Sequence, residues 1–129
     1  MANYNRNITV LLHIKEYCEQ IQNAFEKNPV SFEEFAKDDI IKDAISMKIF
    51  QIGELVNHLS SEYLTETQNE TDWNSIRGMR NKFAHGYFDM NIEIIYKTAK
   101  DDIPDLYKFI CKEVDRLFKT EQEDNEEEI

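Results

Sequence analysis

One short segment, Arg80-Asn81-Lys82-Phe83-Ala84-His85-Gly86-Tyr87, gathers the side chains best suited to chemistry on a phosphodiester, and Arg77 lies one helical turn before it. Histidine titrates near neutrality, so His85 can exchange a proton with a ribose 2'-hydroxyl or a leaving oxygen. The planar fork of Arg80 suits a phosphate that gains charge in the transition state. Such a pair needs no metal. Attack by the 2'-oxygen would leave a 2',3'-cyclic phosphate and a 5'-hydroxyl end, a route open to RNA and closed to DNA.

On a helix, Arg80 falls on the same stripe as Trp73, Ile76, Phe83 and Tyr87, where a structural helix would carry another apolar residue. An unpaired buried guanidinium costs several kcal/mol, so Arg80 must meet a carboxylate, reach an aqueous cleft or face another subunit. Arg77, Asn81 and His85 step by four along the neighbouring stripe and form a polar ridge. Arg80 and His85 are five residues apart, about 140° around the axis and about 7.5 Å along it, which is not a close pair. A twofold dimer across this helix would bring two copies of each around one groove. The plainer alternative pairs Arg80 with Glu54 inside the bundle and leaves His85 to cap or hydrogen-bond near the helix end before Gly86. A separate plain reading of Glu54, with Gln51 and His58, is a solvated face.

The elements that must position these residues read as helices. Ile8, Leu11, Leu12, Lys15, Cys18, Ile21 and Phe25 repeat at three and four, giving a first helix over about Asn5 to Lys27 that breaks at Asn28-Pro29. Ser31-Phe32-Glu33-Glu34 reads as a capping box that starts a short helix. From Asp38 or Asp39, the run Ile41, Ala44, Ile45, Ile52, Leu55, Val56, Leu59 marks a second long helix ending between Ser60 and Leu64. Thr65 to Glu70 reads as a loop. Thr71 or Asp72 caps the third long helix, which carries the motif. A fourth, from about Asn91 to Thr120, is interrupted by Pro104, which lacks an amide hydrogen and either kinks the helix or starts a new one behind Asp101 or Asp102. The expectation is all-α: an up-down bundle of four long helices plus a short one, dimerising across the motif helix.

The chain has 129 residues, enough to bury a core in one domain, and glycine and proline are too scarce for a turn-dense β fold. Neither a secretory h-region nor an apolar run of membrane-spanning length is present, which predicts a soluble, cytoplasmic protein with no membrane partner. Cys18 and Cys111 sit in amphipathic segments and read as free thiols. The net charge of −11 argues against indiscriminate nucleic-acid binding, because phosphate contacts need cations. That charge is uneven. Glu121, Glu123, Asp124, Glu126, Glu127 and Glu128 crowd the end, while Trp73 to Phe88 holds Arg77, Arg80 and Lys82 and no acid. The division is a helical domain over 1–120 and an acidic, disordered tail over 121–129.

Arg80, four intervening residues, His85, one residue and Tyr87 resemble the RX4HXY motif of HepT toxins in the HEPN superfamily. Trp73, Ile76, Ile52-Gly53-Glu54 and Asp102-Ile103-Pro104-Asp105-Leu106 follow in similar order and spacing. The resemblance implies a dimeric HEPN-like bundle that cleaves RNA, mRNA or tRNA, without metal or cofactor, using Arg80 and His85. Asn81 would help position the phosphate or hold the motif's geometry, with Arg77 on the same ridge and Glu54 orienting a cation from the facing helix. The implied partner is a minimal nucleotidyltransferase antitoxin, MntA-like, which silences the toxin by transferring AMP to Tyr87. Added adenylate would place negative charge and bulk near His85. A low cation count would fit recognition of one folded or single-stranded RNA by shape and a few phosphates.

Two other readings use the same helices. One is a noncatalytic HEPN nucleotide-binding or substrate-presenting partner of a nucleotidyltransferase. The other is a purely structural helical dimer in which Arg80 is an interface salt-bridge residue.

Overall fold

The computed structural model describes residues 2–27 and 30–128 and is all-α, as the sequence predicts. The elements are α1 (Ala2–Lys27), α2 (Phe32–Lys37), α3 (Asp39–Val56), α4 (Ser61–Thr67), α5 (Trp73–Gly86), α6 (Ile92–Lys97) and α7 (Ile103–Glu128). A 3-10 turn, Tyr87–Asp89, follows α5, and a π-helical turn, Thr98–Asp102, joins α6 to α7. No helix among the described residues is long and apolar enough to cross a membrane.

Local chemistry sets the starts. The Ser31 hydroxyl accepts from the Glu34 amide at 3.2 Å, and the Asp38 carboxylate accepts from Ile40 and Ile41, each at 3.1 Å. Asp72 accepts from Ser75 at 3.0 Å and Asn91 from Glu93 at 2.9 Å. Each bond satisfies an amide that the helix cannot.

The core is a helical sandwich in which α1 packs along α7 and α3, and α3 packs along α5. Leu11, Ile14, Cys18 and Ile21 of α1 meet Ile45, Ile49, Ile52 and Val56 of α3 and Ile103, Leu106, Ile110, Val114 and Leu117 of α7. Tyr96 fixes α2 against α6 by donating to the Val30 carbonyl at 2.7 Å and packing on Phe35. Cys18 and Cys111 are free, and burial raises the Cys18 thiol to about 12, which leaves it an inert core group.

Several details differ from the sequence reading. On α1 the buried stripe runs through Ile14, while Leu12 is 40% exposed, because α7 and α3 together select a different flank of a helix with apolar residues on both sides. The second long helix stops at Val56, and Ser60 caps a separate α4 that runs through the first half of the expected loop, to Thr67. Asn7 of α1 causes the break: it accepts from the Ser60 amide at 3.0 Å and donates to the Ser60 hydroxyl at 3.1 Å. The α-helix is interrupted beside Pro104, as expected, and α7 starts at Ile103, but among the described residues no hydrogen bond from Asp101 or Asp102 caps that start. Pro104 lies just beyond a π turn in which the Ile103 amide reaches back to the Thr98 carbonyl. The predicted break at Asn28-Pro29 lies outside the described residues. α7 continues without interruption past Thr120 through the acidic stretch to Glu128.

Candidate active site

The motif is built where α3 and α5 cross at Gly53. A Cβ added there would stand 2.4 Å from the Arg80 Cβ, 3.0 Å from its Cγ and 3.4 Å from the Ile76 carbonyl, so only glycine permits this approach. The close contact lays Arg80 along α3. Its Nε donates to Glu54, its Nη1 donates to Asn81 Oδ1 at 3.1 Å, and its guanidinium carbon lies 5.6 Å from the centre of the Phe50 ring. Of the three partners open to Arg80, the structure supplies the carboxylate. The pair sits at the edge of water, with side-chain exposures of 30% and 41%, so it contributes orientation more than stability. The outer guanidinium nitrogen has no acceptor among the described residues and stays available to a phosphate.

His85 occupies the last turn of α5, exposed, with no hydrogen bond or ion pair to any described residue. It does not cap the helix end. Nor does the structure join it to Arg80, whose contacts run to the α3 side. Asn81 turns its oxygen back to Arg80, and so fixes the guanidinium plane. Arg77 is half-buried, and its Nε is a buried donor with no acceptor among the described residues.

Tyr87 lies just beyond α5, in the 3-10 turn, rather than within the helix. Its hydroxyl donates to Asp43 of α3, and its ring packs between Phe83 and Phe88, each with its centroid 5.9 Å away. Burial and then the bond to Asp43 push the phenol above the usual tyrosine range.

Sequence reasoning missed Asp43, Phe50 and the structural role of Gly53. A signal for two of them exists. Asp43, Met47, Phe50 and Glu54 are spaced four, three and four, which is one stripe of α3. Running antiparallel to α5, that stripe offers Glu54 and Phe50 to Arg80, and Asp43 to Tyr87. Between them Met47 is 56% exposed, and Ile40 at the start of α3 and Phe88 in the 3-10 turn are 83% and 98% exposed, leaving these apolar side chains uncovered.

The family profile described as Ribonuclease HepT-like matches residues 14–113. The chain belongs to the HepT-like ribonuclease family. A protein of Caldanaerobacter subterraneus subsp. tengcongensis, provisionally named an RNase, is 37% identical over 98 residues, 76% of this chain and 85% of that protein. A protein of Thermococcus cleftensis, provisionally named ribonuclease HepT, is 30% identical over 97 residues, 71% of this chain and 87% of that protein. A third, of Methanocaldococcus jannaschii and also provisionally named an RNase, is 33% identical over 115 residues, 88% of this chain and 89% of that protein. No solved structure matches significantly. The observed all-α architecture is HEPN-like, in keeping with the family.

Proposed function

We propose that this HepT-like chain is the toxin of a toxin-antitoxin pair, a metal-independent endoribonuclease that works as a homodimer and is silenced by AMP transfer to Tyr87. The observation that carries the reading is the state of the motif: Arg80 is oriented by Glu54 and Asn81 with an outer nitrogen still free of protein acceptors, while His85 stands exposed and uncommitted on the same helix.

In the proposed reaction His85 takes the proton of the ribose 2'-hydroxyl as the 2'-oxygen bonds to phosphorus. The bond to the 5'-oxygen breaks, and that oxygen takes a proton from water, which the imidazolium of His85 then restores, giving a cyclic phosphate and a 5'-hydroxyl. Arg80 bears against the non-bridging oxygens as their charge grows. A second copy supplies the missing proximity, since Arg80 and His85 diverge around one helix, and the uncovered Ile40, Met47 and Phe88 are suited to bury against their twofold mates. Adenylate on Tyr87 would set a phosphodiester against the Asp43 carboxylate, and this repulsion would drive the modified ring out toward the RNA groove. The test is incubation of the purified chain with total RNA in EDTA. Cleavage that is lost in both His85→Ala and Arg80→Ala is expected. Intact RNA with the wild type, or undiminished cleavage by folded variants, overturns the catalytic assignment.

The net charge of −11 favours one alternative, a noncatalytic partner module of a nucleotidyltransferase. It would accept AMP on Tyr87, seen as a mass increase absent from Tyr87→Phe, yet cut no RNA.

A further inference from the structure

A second concave feature lies away from the Arg80 flank. Between α5, α6, the π turn and the start of α7 is a cleft of about 630 Å³, open to solvent and floored by Ile49, Met79, Leu106 and Phe109. Gly78 forms part of its wall. A Cβ placed on Gly78 would find nothing within 4 Å, so the wall has a gap wide enough for a side chain from outside. Gly78 and Arg80 are two residues apart and so point about 160° apart around α5, with the buried stripe of Met79 and Phe83 between the cleft and the Arg80 flank. Ile94, 44% exposed, carries the apolar surface outward from the cleft.

The rim has the opposite sign from the motif. Glu70, Asp72, Asp102 and Asp105 line it, against Lys82 as the lone lining cation. Among the described residues no lysine or arginine stands at ion-pair distance from Glu70, Asp102 or Asp105. Burial, with Asp101 and Asp105 adding like charge, pushes the Asp102 carboxyl above its usual range even though Lys97 opposes the shift. The π turn places Thr98 and Asp102 on this lip, and π turns inside helices often mark sites of function. An apolar floor ringed by carboxylates that outnumber the one lining cation four to one repels phosphate and attracts a ligand that is apolar on one face and cationic on its edges.

We propose that this cleft is the docking groove for a cationic amphipathic helix of a protein partner. A large apolar side chain of that helix seats over Gly78 and Met79. Its lysines and arginines meet Asp102 and Asp105 on one lip and Glu70 and Asp72 on the other. This assignment does not rest on the proposed ribonuclease chemistry, because it uses a different face and a binding readout.

The probe is a synthetic helical peptide of about 15 residues, long enough to hold a helix when bound, with leucines at i, i+3, i+4 and i+7 and lysines elsewhere. Calorimetry and amide chemical-shift mapping on the full chain should give one-to-one binding, with shifts at Gly78, Met79 and the start of α7. Gly78→Leu changes no charge and fills the gap. It should keep or raise the melting temperature, since leucine is the better helix former, and weaken binding roughly tenfold or more. Asp102→Lys with Asp105→Lys should weaken binding similarly, and wild-type binding should fall with salt. The proposal is overturned if the peptide fails to bind, if folded Gly78→Leu binds as well as wild type, or if spermine or a same-composition scrambled peptide binds equally tightly. It is also overturned if an RNA oligonucleotide shifts the cleft residues.

Discussion

Tyr63, Glu113 and Arg116, where α4 meets α7, form a polar cluster whose demands are met within the protein, whereas Arg77, Arg80, His85 and Tyr87 on and beyond α5 leave theirs partly open. In the first cluster Tyr63 donates to Glu113 at 2.8 Å and Arg116 holds the same carboxylate with bonds of 2.8 and 3.0 Å. Next to it the Trp73 indole donates to Thr67 at 2.8 Å, and Thr67 donates to the Tyr63 carbonyl at 2.8 Å. Burial opposes ionisation of Glu113, yet the bonds from Arg116 and Tyr63 outweigh it and hold the carboxyl below the usual glutamate range. In the second group of residues the Arg77 Nε has no acceptor, and His85 no partner, among the described residues. Satisfied buried groups fix a fold. An exposed group without a protein partner, such as His85, contributes no such bond to the fold.

Mutations should separate the two clusters. His85→Ala or Arg80→Ala should lower RNA cleavage by about 10²-fold or more while the melting temperature stays near wild type. A variant that loses both together would make the second cluster structural as well. Glu113→Ala should do the reverse, costing roughly 3 kcal/mol in urea unfolding because Tyr63 and Arg116 lose a shared buried acceptor, with residual activity tracking the folded fraction.

Gly53→Ala joins the two kinds of effect. Its Cβ would overlap the Arg80 Cβ, which is no flexible chain end, so the helices must part at a cost of about 1–3 kcal/mol. Cleavage by the folded fraction should fall too, since Arg80 shifts relative to Glu54; unchanged specific activity would show that the crossing does not position the arginine.

Smaller still is a pH effect. The Glu113 carboxyl is depressed in the folded state, so its contribution is fully present above the ordinary glutamate pKa and is lost as pH falls through the lower folded value. Melting temperature against pH should therefore decline on the acid side in wild type and less steeply in Glu113→Gln. The smallest predicted change is at Tyr87: Asp43→Asn removes the carboxylate that raises the phenol, so its ionisation, followed by ultraviolet absorbance, should move down toward the usual tyrosine value. No movement would mean that burial alone sets it.

Much of the frame was legible because it is local. Period-3.6 spacing marked α1, α3, α5 and the final helical segments, Ser31 announced its own helix start, and of the pairs Asp38 or Asp39 and Thr71 or Asp72 the structure uses Asp38 and Asp72. What escaped was imposed from a distance: Asn7 cuts the chain at Ser60 from another helix, and the choice of Ile14 over Leu12 depends on which neighbours α1 meets.

The same division runs through the motif. The sequence by itself determined that Arg80 is a charge on an apolar stripe and that His85 diverges from it, because residue spacing fixes angle on a helix. Only the tertiary structure decided that Glu54 and Asn81 hold Arg80, that His85 stays unengaged and that Asp43 holds Tyr87. Those contacts depend on where α3 and α5 cross. Gly53 sets that point through the packing of two helices, a property that no single helix's spacing contains.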